Sequence, residues 1–252
     1  MRNAKRGMES NLRLNRRIEP ELLDELPHEN PRARRSRHDL RRLNVLMGHA
    51  RIIARLLADA WAGGGPTRIV DVGAGDGRFA LRLARNLASR WSRVEVVLVD
   101  RQEIVDEATR RGFRELGWNC ESAQADVFEW LTRSEPRSGE CIVANLFLHH
   151  FSDARLRTLL SLAAERAVCF TACEPRRSRA VLAASRSLGL IGCNAVTRHD
   201  AVVSVRAGFR GKELSDLWTA DGSWSLEESE AGLFSHVFVA KAWTETEGQV
   251  ES

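Results

Sequence analysis

No stretch of the 252 residues is long and apolar enough to cross a membrane. The basic start, Met1 to Arg17, has no apolar core and so does not read as a secretory signal. The five cysteines are odd in number, and no two are spaced C-x-x-C. That excludes a regular disulfide framework and a cysteine metal knuckle, and the expectation is reduced thiols in a cytoplasmic protein. There is no internal repeat. No aromatic residue interleaves with the N-terminal arginines, so a base-stacking arm is not written there either. This bears on the net charge of +4, which invites a nucleic-acid reading until it is located. Residues 1–42 hold 12 Lys/Arg and 7 Asp/Glu, whereas the remainder holds 26 against 27. The body is therefore near neutral, and a broad basic face for a macromolecular polyanion is not expected. An apolar fraction of 43% is ordinary for a globular protein, and the length suits one large domain with a small cap.

What is present centres on residues 69–77, Ile-Val-Asp-Val-Gly-Ala-Gly-Asp-Gly. Ile69, Val70 and Val72 predict a short buried strand. Gly73, Gly75 and Gly77 break it, and Arg78 to Ala88 continues with Phe79, Ala80, Leu83, Ala84 and Leu87 at helical spacing. Glycines at such a turn let backbone N–H groups approach a ligand. The helix that follows offers its positive end. A dinucleotide fingerprint counted from Gly73 needs its third glycine at position 78, which is Arg78. The pattern is instead D-x-G-x-G-x-G, with Asp71 near the strand end. It resembles motif I of the class I methyltransferases that use S-adenosylmethionine. A carboxylate suits the cationic amino group of the methionine moiety and would repel a pyrophosphate.

The rest of the chain alternates strand and helix patterns. Glu19 to Leu26 predicts a short helix ended by Pro27 and Pro31, and Ser36 to Leu57 a longer one split near Gly48. Asp39 to Asn44 resembles the segment before motif I in quinone and phenol methyltransferases. Gly63 to Pro66 reads as a linker. Strands are expected at Val94 to Val99, Asn119 to Ala123, Cys141 to Phe147 and Val168 to Cys173. Helices are expected at Ile104 to Leu116, Ala154 to Ala167, Arg176 to Gly189, His199 to Ala207 and Lys212 to Trp218. Trp224 to Glu230 and His236 to Ala240 read as a closing hairpin around Gly232. The alternation predicts an α/β, doubly wound, mostly parallel sheet. The resemblance adds seven strands in the Rossmann-like arrangement, with an N-terminal helical cap. The expected organisation is a mobile basic arm 1–18, a cap and linker 19–65, a core 66–243 and a polar tail 244–252.

In doubly wound sheets ligands bind beyond the carboxyl ends of the strands. Asp71, Asp100, Asp126, His149 and Glu174 all fall at or just past such ends. The resemblance implies that Asp71, Gly73, Gly75, Gly77, Asp100 with Arg101, Asp126 with Val127, and Asn145 bind S-adenosylmethionine. Asp100 would accept from the ribose hydroxyls, and Asp126 from the adenine amino group. Read without the family, Asp126 is equally a helix N-cap.

Leu148-His149-His150-Phe151-Ser152-Asp153 resembles the L-H-x-W-S-D segment of phenolic O-methyltransferases of the caffeate type, with Phe151 in place of tryptophan. That resemblance implies His149 as the general base and Glu174 as the acid that brackets it, with no metal. A phenol with a pKa of about 10 needs such a base at neutral pH. His150, Arg176 and His199 are candidate substrate contacts. His199-Asp200 could supply a base instead, or sit as ordinary acids and bases near a helix start. The expected activity is O-methylation of a small hydroxylated aromatic compound in secondary metabolism, by a monomer or homodimer. Carbon or nitrogen methylation, or a non-catalytic cofactor-binding partner, are the alternatives. Asn145 is followed by Leu146-Phe147-Leu148, which departs from the amino-methylating DNA enzymes.

Overall fold

A computed structural model of the chain describes residues 14–27, 29–61, 64–135, 137–220 and 222–243. The expected tail from 244 onwards and the first part of the arm lie outside these residues.

Seven strands form one sheet in the order β3-β2-β1-β4-β5-β7-β6. They are β1 Arg68–Val72, β2 Glu95–Asp100, β3 Asn119–Gln124, β4 Glu140–Asn145, β5 Cys169–Pro175, β6 Trp224–Ala231 and β7 Ser235–Ala242. The first five run parallel, and β7 joins β5 antiparallel. The strand order reverses beside β1, which makes the β1/β4 boundary the natural crevice for a ligand.

The core has two sides because side chains alternate along each strand. Ile69, Val96, Leu98 and Val143 face α3 (His49–Ala60), α4 (Arg78–Leu87) and α5 (Glu107–Glu115). Val70, Val72, Val97 and Ile142 face α6 (Val127–Arg133) and α7 (Asp153–Ala164), where Leu156, Leu159 and Leu160 are fully buried. Each such aliphatic side chain is worth roughly 1.5–3 kcal/mol when taken out of water.

Caps set the helix boundaries where periodicity did not. The cap helix α2 spans Pro31–Met47, not Ser36 onwards, because Asn30 accepts from Arg32 N and Pro31 stands at its first turn. Pro31 therefore starts a helix rather than ending one. Gly48, with φ 71°, closes α2 and admits α3. Asp106 caps α5, whose start is thus later than Ile104. β5 carries through Pro175, and α8 begins only at Arg179 (Arg179–Arg186) with Ser178 as its cap. Asn194 caps α9 (Ala195–Ala207), so His199 lies inside that helix. The expected helix at Lys212 to Trp218 is a single 3₁₀ turn, Ser215–Leu217. The carboxylate of Glu228 on β6 accepts from Leu214 N and Ser215 N there, and the chain is held to the sheet instead of coiling further.

Residues 14–18, which composition assigns to the arm, are bonded to the core. Arg16 donates to Ala207 O at 2.9 Å, to Phe151 O at 2.8 Å and to Asp153 at 2.7 Å. Asp200 on α9 accepts from Leu22 N and Leu23 N at 2.8 and 3.0 Å, and so caps the short helix α1, Leu22–Glu25. The N-terminal segment thus forms a strap across the carboxyl ends of β4 and β5.

Candidate active site

The turn after β1 is tied to β2. Gly73 N and Ala74 N donate to Val99 O, and Gly75 N donates to Asp100 Oδ2 at 2.9 Å. Gly73 has φ 72°, and a Cβ there would stand 2.2 Å from the Phe147 ring. Gly75, at φ 54°, has open space where its Cβ would be, so the backbone faces the cavity. Gly77 serves differently: a Cβ would meet Leu98, so it lets α4 lie close on the sheet.

Asp71 is buried, and its Oδ2 has no hydrogen-bond partner. Burial pushes this carboxyl well above the usual carboxylate range, and the neighbouring Asp100 charge adds to that. A cationic ligand group is the partner such an oxygen lacks. Asp100 is oriented by Gly75 N and Gln102 N, both at 2.9 Å. Asp126 Oδ1 accepts from Phe128 N and caps α6, and with Val127 it also lines the cavity. Capping and cavity lining coexist in this residue. Arg101 lines the same space.

Asn145 is held by a residue that sequence reading did not single out. His49, fully buried at the start of α3, contacts Asn145 Oδ1 through Nδ1 at 2.9 Å and Ser235 Oγ through Nε2 at 2.9 Å. Burial drops its pKa to about 4, so the ring is neutral. Nδ1–H donates to the amide oxygen, and Nε2 accepts from the serine.

Past β4 the chain passes through Leu146 at φ 54°, a left-handed conformation that costs a non-glycine residue roughly 1–3 kcal/mol. The 3₁₀ turn Leu148–His150 follows. Its free N–H groups are capped by one side chain. Glu174 Oε1 accepts from Phe147 N and Leu148 N at 2.9 and 2.8 Å. Glu174 Oε2 accepts from His149 Nδ1 at 2.7 Å. Neighbouring strand ends therefore bring His149 and Glu174 together, as β4 and β5 are paired.

The other ring nitrogen is also engaged. Glu21, from the strap, places Oε1 3.4 Å from His149 Nε2 and accepts from Ser204 Oγ on α9. Burial disfavours a charged ring, but the two carboxylates outweigh it and hold His149 up at about 9. Burial likewise opposes the Glu21 charge, and His149 overrides it, bringing Glu21 down to about 2. His150 stacks on His149 with centroids 4.2 Å apart, and burial with the adjacent positive ring lowers it to about 4. Glu21, His149 and His150 have ligating atoms within 4.8 Å of one another, a spacing that a cation could also use.

Two candidate substrate contacts stand elsewhere. Arg176 pairs with Glu230 at 2.7 Å, and His199 with Asp200 at 2.9 Å on α9. Neither belongs to the cavity wall. The cavity itself is about 1060 Å³, and Asp71, Gly75 and Asp100 line it together with His149 and Glu21.

A family profile described as a methyltransferase domain matches residues 69–167, from β1 through α7. Residues 69–167 are a methyltransferase domain, and the strand order is that of the class I, S-adenosylmethionine-dependent methyltransferase fold. Solved structures agree on this fold. The plantazolicin methyltransferase BpumL, in complex with S-adenosylhomocysteine, is similar over 85% of this chain and 92% of its own, with 11% identity and a TM-score of 0.61. An O-methyltransferase family protein from Burkholderia thailandensis is similar over 86% and 61%, with 14% identity and a TM-score of 0.58. A protein of Nostoc punctiforme PCC 73102 is similar over 78% and 56%, with 16% identity and a TM-score of 0.53. The chain thus spans little more than half the length of the last two. No curated protein sequence matches it. Among its described residues no helix is long and apolar enough to cross a membrane.

Proposed function

We propose that this methyltransferase transfers a methyl group to the hydroxyl of a small aromatic metabolite, with His149 as general base and Glu174 as the acid that orients it. The observation that carries the reading is the His149–Glu174 pair at 2.7 Å, on the same cavity wall system as the orphaned Asp71 oxygen. Asp71, the open face of Gly75, Asp100, Arg101, Asp126, Val127 and Asn145 would hold S-adenosylmethionine. When bound, that cofactor supplies an electrophilic methyl carbon on a good leaving group. The plantazolicin enzyme, similar in fold, is described in complex with S-adenosylhomocysteine, which supports the assignment by analogy of fold alone.

The protein's own residues then have three tasks. Phe147, Phe151 and the strap exclude water around the reacting hydroxyl. Glu174 keeps the proton on His149 Nδ1, so Nε2 is the basic atom. His149 takes the hydroxyl proton once the substrate hydroxyl replaces Glu21 at Nε2. With Glu21 at Nε2 the ring is held at about 9, so displacing Glu21 both frees Nε2 and lowers the ring's hold on its proton. Until then little neutral imidazole exists at pH 7.

The carboxylates of Glu19, Glu21 and Asp24 on the cavity wall favour a second reading, methylation of an amine. Titration calorimetry with S-adenosylmethionine, S-adenosylhomocysteine and NAD tests the cofactor. Methyl-labelled cofactor with paired phenols and anilines then tests the acceptor atom. Micromolar sulfur-cofactor binding and labelled ethers are expected. Binding of NAD alone would overturn the assignment, and labelled amines without ethers would replace oxygen by nitrogen.

A further inference from the structure

Four of the nine large apolar side chains exposed among the described residues gather at one place, while others such as Leu233 and Trp243 stand apart. Val45 and Leu46, in the last turn of α2, are 54% and 75% exposed, and Leu190 and Ile191, in the 3₁₀ turn Leu188–Ile191, are 88% and 49% exposed. Single exposed leucines need no explanation, whereas a contiguous apolar rim marks a binding surface. Here the rim is the mouth of a cavity. Leu46, Leu190 and Ile191 all line the space whose inner end holds His149. A side groove of about 600 Å³ shares Leu43, Leu46 and Ile191 with that space and is lined further by Val45 and Cys193 and by Asp39, Arg41, Arg42, Arg78 and Arg82. The cavity wall carries Leu40, Leu43, Met47, Val181 and Leu188, with Asn44, Ser185 and Ser187 among them. In α2 itself the first half carries arginines, and the apolar residues gather in the half that reaches the mouth.

We propose that the acceptor is amphiphilic, with its hydroxyl end at His149 and an unbranched or isoprenoid-like apolar tail leaving between α2 and the Leu188–Ile191 turn. The head-group end of this inference rests on the O-methyltransferase reading above. Continuity argues for a tail over other occupants, since a chain attached to the bound head reaches the rim without leaving the protein.

The test uses the full chain saturated with S-adenosylhomocysteine and a series of 4-alkylphenols from methyl to octyl, followed by calorimetry. Affinity is expected to rise about fourfold per methylene along the wall and to level off where the tail leaves the rim. Leu190→Glu and Leu46→Glu alter exposed positions and should not disturb folding. Each should cost the octyl compound at least tenfold while leaving 4-methylphenol and S-adenosylhomocysteine affinities unchanged. An octyl compound that binds no tighter than the methyl one, or no binding by any member, with cofactor affinity intact, would overturn the proposal. Should the series be flat while wild type, but not Leu190→Glu, sediments with phosphatidylglycerol vesicles, the rim is a membrane contact and the tail is excluded. A flat series with a dimer lost in Leu190→Glu assigns the rim to a second copy instead. Failure of S-adenosylhomocysteine itself to bind would strike the cofactor assignment, a separate result.

Discussion

Glu21 Oε1 reaches to 3.4 Å from Nε2 of His149, so the ring nitrogen expected to take a substrate proton is faced by a carboxylate of the protein's own strap. Glu174 holds Nδ1 from the other side at 2.7 Å. The ligand-free centre is an imidazolium between two carboxylates, with the neutral His150 stacked on it and Arg16 and Asp24 nearby. This arrangement makes the chemistry pH-dependent in a direction that can be stated.

A base works in its neutral form, and kcat/KM reports the free enzyme. With His149 held at about 9, kcat/KM should climb about tenfold per pH unit up to roughly pH 9 and then level. In Glu21→Gln one charge is removed, and at 3.4 Å such a charge acts with several kcal/mol even at an effective dielectric of about 20. The limb should move down by roughly one unit or more, and turnover at pH 7 should rise. An unmoved midpoint would separate the limb from His149.

The same pair links pH to stability. The folded His149 is raised above its ordinary 6.5, so its contribution is full below about pH 6.5 and is lost as pH rises through about 9. Glu21 is depressed from 4.5 to about 2, so its contribution is present above pH 4.5 and is lost as pH falls toward 2. Against burial, the His149 shift is shared between Glu174 and Glu21, whereas the Glu21 shift comes chiefly from His149 and corresponds to about 3 kcal/mol. Tm of the ligand-free protein should peak between about pH 4.5 and 6.5, and Glu21→Gln should flatten the acid limb and shift the alkaline limb to lower pH, where Glu174 still holds it.

Glu174→Gln tests orientation without removing volume. The amide oxygen can still accept from Phe147 N and Leu148 N, which turns the NH₂ toward His149 Nδ1. Nδ1 must then accept, and the proton moves to Nε2. Turnover should fall about 10²- to 10⁴-fold, as in His149→Ala, while S-adenosylhomocysteine affinity stays within a few-fold. A variant that keeps its rate would show that the tautomer is irrelevant.

Asp71→Asn should separate stability from binding. Its Oδ2 is buried without a partner, and the Asp100 carboxylate lies close by. Removing that charge should raise Tm of the ligand-free protein by a few degrees. If Asp71 meets the cationic amino group of the cofactor, affinity for S-adenosylhomocysteine should drop tenfold or more. A higher Tm with unchanged affinity would leave Asp71 without a ligand role.

The pattern of the chain alone determined the layered sheet, because strand alternation, glycine breaks and helical spacing are local signals. Asp71, Asp100 and Asp126 at strand ends, and the pairing of His149 with Glu174, followed from β4 and β5 being neighbours. Helix starts were less legible, since Asn30, Asp106, Ser178 and Asn194 act through single hydrogen bonds that periodicity does not register. Only the tertiary structure brought Glu21 from 128 residues away onto His149, set His49 against Asn145, and left Arg176 and His199 paired outside the cavity. Those contacts depend on how the strap and the cap cross the sheet. Crossing is fixed by packing and by side chains such as Arg16 and Asp200 bonding distant backbone, for which a linear sequence has no period to read.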